Sequence, residues 1–370
     1  MAGAGIGLLP GVSKAAVLSE AVEGRAAGGS APQQKWGMGV PPGQNLPPEA
    51  TNGSWKNLRA VKEKKVFDMH CHCYETPQQG HNYKDEGHMH DLDQWQDYTN
   101  ELLASMDRHG IAMAAMNPAF QVYETIVQTS VTPHLDRFIR SSGMPTVDTK
   151  GRGSANEGTQ GRELTPEVVA EVWKTHIERD KCIIIGETSG NSMMSLQRKY
   201  SVKDLRPMAE VAMEHDVPVQ IHTGWTATGT ASNFGRGYMT AWHWAENMGN
   251  LMTTYPDIKF IMAHTGGALA TPDDWEAIRL LFSFDNSYID TAKTPPEIVA
   301  EAVRGVGAER VLFGSDWNRP QMKEYGPYHM RAVYQHWWNL NTIANADMTE
   351  DQRDWVLYKS AHKLLKLPEA

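Results

Sequence analysis

Short apolar or β-branched runs recur along the chain at Val66 to His72, Ile111 to Met116, Arg137 to Ser141, Cys182 to Glu187, Val217 to His222, Lys259 to His264, Ser287 to Thr291 and Arg310 to Asp316. Each has the length of a strand, and runs that are apolar nearly throughout suit strands covered on both faces. The segments between them space their apolar residues as helices do. After Asp91, the residues Leu92, Trp95, Leu102, Leu103 and Met106 share a helical face, and Gly110 stands where a glycine ends a helix. Thr165-Pro166-Glu167 opens a second helix carrying Val169, Val172, Trp173 and Ile177, and Thr271-Pro272-Asp273 and Pro295-Pro296 repeat the start signal.

Strands alternating with helices predict a parallel sheet, and eight such units close into a single (β/α)8 TIM barrel, an α/β fold. An open doubly wound sheet is the alternative, disfavoured because no Gly-x-Gly-x-x-Gly follows the first run. The stretch from Thr349, with Trp355, Val356, Leu364 and Leu365, predicts an extra C-terminal helix on the outside of the barrel. The start of the chain differs: residues 1–53 hold 11 Gly and 6 Pro, a density of chain breakers that reads as a flexible tail. The expected organisation is therefore an N-terminal tail over 1–65, readable as the remnant of an export signal plus a linker, and a barrel over 66–370. Ala2 to Val12 resembles the apolar core of an export signal, and Ser13-Lys14-Ala15-Ala16 offers small residues for cleavage, but no basic residue precedes it. Localisation stands between the cytoplasm and, if the true start lies before Met1, export to the periplasm.

Composition narrows the partners. The formal net charge is −9 and the longest basic cluster is Lys62 to Lys65, which argues against nucleic acid. No apolar run is long enough to cross a membrane. Three cysteines cannot build a disulfide framework. The Trp- and Tyr-rich segment Tyr325 to Trp338 is a candidate interface for a homo-oligomer.

In a barrel of this kind the chemistry gathers at the C-terminal ends of the strands. Those ends are polar here: His70 and His72 on the first strand, Glu187 on the fourth, His222 on the fifth, His264 on the sixth and Asp316 on the eighth. Strand alternation puts His70 and His72 on one face with Asp68 behind them, so the pair can chelate one metal, and Asp68 is expected to orient an imidazole. Imidazoles with a carboxylate suit zinc first, with manganese, iron and cobalt as alternatives. Cys71 and Cys73 should point out of the barrel and pack against helices.

At these residues the sequence resembles the amidohydrolase superfamily. The resemblance is carried by Val66-Phe-Asp-Met-His70-Cys-His72, Val219-Gln-Ile-His222-Thr-Gly224, Phe260-Ile-Met-Ala-His264-Thr-Gly-Gly267 and Val311-Leu-Phe-Gly-Ser-Asp316-Trp317, in matching order. His264-Thr-Gly-Gly and Phe313-Gly-Ser-Asp look most like the amidohydrolase-related branch, which includes decarboxylases of aromatic and unsaturated acids as well as lactonases. The resemblance implies that His70, His72, His222 and Asp316 hold one divalent metal and that His264 is the catalytic histidine, with Asp316 sharing the proton transfer. Glu187 would join as a bridging ligand if the centre were binuclear; the surrounding motifs favour one metal, with Glu187 as a polar pocket residue.

Trp225, Arg236, Trp317 and Arg319 follow or flank these strand ends and are candidate substrate contacts. The arginines would clamp a carboxylate and the tryptophans would wall an aromatic pocket, although each also fits a surface or packing role. His81, His88 and His90 lie in the loop after the first strand, where a solvated polar loop is the plainer reading. The expected function is a metal-dependent hydrolase in which metal-activated water attacks a small amide, lactone or carbonyl substrate, itself carboxylated or aromatic. The alternative is a non-oxidative decarboxylase of an aromatic or unsaturated carboxylic acid, because the same ligands serve both reactions.

Overall fold

The structure, a computed structural model, describes residues 53–76, 92–117, 123, 127–143, 162–188, 200–221, 241–266, 272–320 and 332–368. The strands are β1 (Val66–Thr76), β2 (Ile111–Met116), β3 (Phe138–Ser142), β4 (Ile184–Thr188), β5 (Val219–Ile221), β6 (Phe260–Met262), β7 (Ser287–Asp290), β8 (Val311–Leu312) and β9 (Trp317–Pro320). Neighbours pair in parallel in the order β8-β7-β6-β5-β4-β3-β2-β1-β9. The eighth run expected from the sequence is present but split. Its first part pairs with β7 and its second with β1, so one bent stave closes the ring and the molecule is a (β/α)8 barrel. The bend itself is held to β1, where Met69 N donates to Phe313 O (2.8 Å) and Asp316 N to His70 O (2.7 Å).

The helices are α1 (Leu92–His109), α2 (Pro166–Asp180), α3 (Arg206–Glu214), α4 (Ala241–Thr254), α5 (Pro272–Leu281), α6 (Pro296–Val306) and α7 (Ala332–Asn345). The start signals lie where the sequence put them: the Thr165 side chain accepts from Val168 N, with Pro166 opening the first turn of α2. Gly110 ends α1 at φ 69°, and a Cβ there would lie 2.4 Å from Val61 O, so both the backbone and the neighbour demand glycine. Between β2 and β3 the described chain forms only short helical turns, Val127–Val131 and Thr132–His134. The C-terminal stretch is helical from Glu350 to Leu365, with a capping box at Thr349 and Gln352.

The core lies between barrel and helices, and includes Trp173, Phe138, Leu102, Met106, Ile278 and Leu340. The tail expected over 1–65 needs one correction. Residues 53–65 dock on the barrel: Trp55, Leu58, Ala60 and Val61 are buried in the core, Trp55 lies 5.0 Å from the His109 ring, and Arg59 pairs with Asp354. Glycine and proline counts could not reveal this, because the anchoring residues follow the breaker-rich stretch. Among the described residues no helix is long and apolar enough to cross a membrane. Residues 1–52 and the first half of Tyr325 to Trp338 lie outside the described residues.

Candidate metal centre

Parallel strands deliver their C-terminal ends to one rim, and five of the expected residues meet there. His70 Nε2 and His72 Nε2 are 3.1 Å apart. Glu187 Oε2 lies 3.2 Å from the first and 3.3 Å from the second, and Asp316 Oδ1 lies 3.5 Å and 3.2 Å from the same two nitrogens. His264 joins through Nε2, 3.3 Å from Glu187 Oε1. All five residues are buried. Two overlapping groups, His70 with His264 and Asp316, and His70 with His72 and Glu187, bring their ligand atoms within 4.8 Å of one another. Glu187 therefore belongs to the same cluster as the expected ligands.

The far nitrogens of the two β1 histidines decide what the near ones offer. His70 Nδ1 lies 2.8 Å from Asp290 Oδ2, and His72 Nδ1 lies 3.2 Å from Asn117 O. A carboxylate and a carbonyl only accept, so both Nδ1 atoms carry a proton, and each Nε2, once it sheds its own, can ligate a metal. Two such nitrogens beside two carboxylates call for positive charge among them. The electrostatics agree: burial lowers the pKa of His70, yet Glu187 and Asp290 together carry it well above the ordinary value. His72 is likewise raised, burial being outweighed by its bonds to Asp316 and Glu187. A donor set of imidazoles and carboxylates that attracts a cation into a buried point fits a divalent metal.

Asp290, at the end of β7, was not foreseen. Its Oδ2 accepts from His70 Nδ1 and from Gln220 Nε2 (2.7 Å), and its Oδ1 accepts from His264 N (2.9 Å) and Ala292 N (2.9 Å). Asn117 Nδ2 donates in turn to Gln220 Oε1 (3.2 Å), so a hydrogen-bonded polar floor runs under the cluster from Asn117 through Gln220 to Asp290. Gly314 makes room for it: a Cβ there would stand 2.9 Å from His70 Cβ and 3.2 Å from Asp290 Cγ. The available signal was the position of Asp290 at a strand end, the criterion that found the others.

Asp68 does not orient an active-site imidazole as expected. Pairing in β1 shifts between Asp68 and Cys71, which face Ala114 and Met116 on β2, so three steps on one strand match two on the other. The bulge puts Asp68 on the helix side with Cys71. There Asp68 accepts from His70 N (3.0 Å), Ser315 N (3.0 Å) and His336 Nε2 (3.2 Å) of α7. It ties the β1 bulge to the bent eighth stave. Cys71 is buried outside the barrel as expected, with Sγ 3.3 Å from Ala115 O.

Trp317 does not reach the mouth. It pairs in register with Cys71, is fully buried, and stacks on His336 at 6.4 Å and 25°. That places its ring between the barrel and α7, where it packs. The strand runs on through Arg319, of which only the backbone is described. His222, Trp225, Arg236, Cys73, His81, His88 and His90 lie outside the described residues or have undescribed side chains.

Two further groups set the charge of the cluster. Lys293, just beyond β7, pairs through Nζ with Asp316 Oδ2. Burial would raise the pKa of Asp316, but the Lys293 ammonium, with the His72 hydrogen bond, holds it well below the usual carboxylate range. His264 is shifted the opposite way from its β1 neighbours: burial lowers its pKa and the attraction of Glu187 does not fully compensate, so its imidazole is neutral.

Residues 189–367 match a family model described as Amidohydrolase. No curated protein sequence matches the chain. Among solved structures, the chain is similar to 4-oxalomesaconate hydratase from Rhodopseudomonas palustris, at 16% identity and a TM-score of 0.54, over 81% of this chain and 95% of that one. It is similar to 5-carboxyvanillate decarboxylase from Novosphingobium aromaticivorans, complexed with manganese and 4-hydroxy-3-methoxy-5-nitrobenzoic acid, at 14% identity and a TM-score of 0.54, over 82% and 97%. It is also similar to IDCase from Metarhizium anisopliae, at 14% identity and a TM-score of 0.53, over 84% and 99%. At such identities the likeness carries the barrel fold.

Proposed function

From a chain whose residues 189–367 belong to the amidohydrolase family, we propose a metal-dependent hydrolase acting on a small amide, lactone or carbonyl substrate. His70, His72 and Asp316 hold one divalent ion, His222 supplies the fifth-strand ligand, and Glu187 stands ready to bridge if a second ion enters. The ion is zinc, with manganese the nearest alternative because carboxylates share the donor set with imidazoles. The observation that carries this reading is the convergence of two Nε2 atoms 3.1 Å apart with the Glu187 and Asp316 carboxylates, each imidazole fixed by a partner on its opposite ring nitrogen.

A divalent ion at this point supplies Lewis acidity, acidifying water and polarising a carbonyl oxygen. The protein's own groups do the rest. His264, neutral, accepts a proton from water and returns it to the leaving group. Asp316, ionised beside Lys293, is a second acceptor. Neutral His264 can take up a proton, which hydrolysis requires, and does not arrive with the proton that carbon needs in decarboxylation. Decarboxylation of an aromatic or unsaturated acid is the second reading, favoured by the cationic Lys293 beside the cluster, which suits a carboxylated substrate.

The test is a panel of lactones, amides and hydroxybenzoates offered to protein of measured metal content, with released acid and CO₂ followed together. Acid with water uptake and no CO₂ supports hydrolysis. CO₂ without net water uptake overturns it in favour of the lyase, and a protein that binds no divalent metal overturns both.

A further inference from the structure

The cluster's charges do not balance through the expected ligands alone. Glu187, Asp290 and Asp316 bring three buried carboxylates to the rim, and Lys293 is the cation that reaches them among the described residues. Among the described residues, a divalent ion together with Lys293 brings this sum to zero, whereas the ion without the lysine leaves it at −1. Lys293 also differs from the cluster in access. Its side chain is 31% exposed, against 8% for Asp316, so the lysine reaches the buried carboxylate from a less enclosed position. An ammonium has three donors, and its pairing with Asp316 Oδ2 uses one direction of them.

Its position is fixed from behind. Lys293 N donates to Asn339 Oδ1 (2.8 Å), and Asn339 Nδ2 donates to Ser315 O (3.0 Å), so one fully buried amide on α7 holds the loop after β7 against the segment carrying Asp316. The backbone at Lys293 is left-handed, at φ 54°, a conformation in which a lysine is disfavoured and which the Asn339 clamp maintains.

We propose that Lys293 is the anion-binding, specificity-determining residue of this site, donating to a carboxylate of the substrate while remaining beside Asp316. The inference rests on the metal-dependent reading and adds the substrate class: small anionic molecules in preference to their neutral analogues. A charge-assisted hydrogen bond of this type corresponds to roughly a tenfold to hundredfold preference.

Calorimetric binding of salicylate and of its uncharged analogue salicylamide to the full-length, zinc-loaded protein tests this, with Lys293→Met and Lys293→Arg alongside. Wild type and Lys293→Arg are expected to prefer salicylate by about tenfold or more, and Lys293→Met to lose that preference, read as the ratio of its salicylate to its salicylamide affinity. Wild-type protein without a preference overturns the inference. So does a Lys293→Met variant that retains the preference, which would leave the lysine as a counterion for Asp316 only. Metal content and melting temperature, measured on the same samples, report separately on the metal centre and on folding.

Discussion

Asp290→Asn isolates the step on which the metal centre depends, because it keeps the shape of the side chain and removes only its charge and half its accepting capacity. The carboxylate accepts four hydrogen bonds, two from backbone amides at 2.9 Å and two from His70 Nδ1 and Gln220 Nε2 at 2.8 Å and 2.7 Å. The asparagine oxygen can keep the backbone pair, which cannot move. Its amide then meets two donors. His70 escapes by moving its proton to Nε2, and an Nε2–H cannot ligate. Gln220 escapes by turning its amide, which sets its NH₂ against Asn117 Nδ2.

Loss of a partner that orients a ligating histidine typically lowers metal affinity about 10- to 100-fold, or about 1.4 to 2.8 kcal/mol. Two hydrogen bonds to a buried charge are also lost, each worth about 1.5 to 3 kcal/mol, so the fold itself weakens by a large share of an ordinary domain's stability. The two effects are separated by titrating zinc against a competing chelator at a temperature where circular dichroism shows the variant folded. Gln220→Met serves as a control: it breaks the same floor without a donor facing His70, and its zinc affinity should stay within about threefold of wild type. An Asp290→Asn protein that binds zinc as wild type does would refute the tautomer argument. If Gln220→Met lost as much affinity, general loosening of the floor would explain the result instead.

Gly314→Ala forces a methyl to 2.9 Å from His70 Cβ and 3.2 Å from Asp290 Cγ. It should cost about 1 to 3 kcal/mol in a thermal melt and reduce retained metal. His264→Asn should keep wild-type metal content and lose turnover on any substrate the panel identifies; surviving turnover would remove His264 from the proton transfer. Burial lowers the pKa of His109 to about 3 and of His176 to about 4, below the unfolded histidine value of about 6.5. As pH falls from about 6.5 towards 5 the unfolded chain gains protons there that the folded chain refuses, so urea midpoints should fall, by at most about 2.7 kcal/mol per pH unit for two groups. A flat midpoint from pH 7 to 5 would contradict the burial of these two rings.

The barrel was legible because its strands are covered on both faces and read as apolar runs, while Thr165-Pro166, Pro272 and Pro296 mark helix starts through chemistry local to each position. His70, His72, Glu187, His264 and Asp316 were legible for a related reason: polar residues at the end of an apolar run need a purpose. Asp290 meets that criterion, yet its partner His70 is 220 residues away and nothing local joins them. Asp68 and Trp317 were misplaced by alternation and adjacency. The bulge after Asp68 breaks the alternation, and the bend at Phe313 to Asp316 turns Trp317 towards α7 while Asp316 faces the rim.

The bend points to what a period-two reading leaves out. Non-glycine residues with left-handed backbone among the described residues include Lys64, Lys181, Asp216 and Lys366, each at or near a helix end, where such a turn relieves unsatisfied carbonyls. His264 (φ 58°), Lys293 (φ 54°) and Asp316 (φ 50°) lie instead just past β6, β7 and β8. Each costs about 1 to 2 kcal/mol relative to a residue free of the Cβ clash. Glycine would remove that cost at all three positions and would deliver no side chain. That three adjacent strand ends keep an imidazole, an ammonium and a carboxylate under this strain means the turn aims them, and it places Lys293 on the same footing as the two residues whose chemistry the sequence had already suggested.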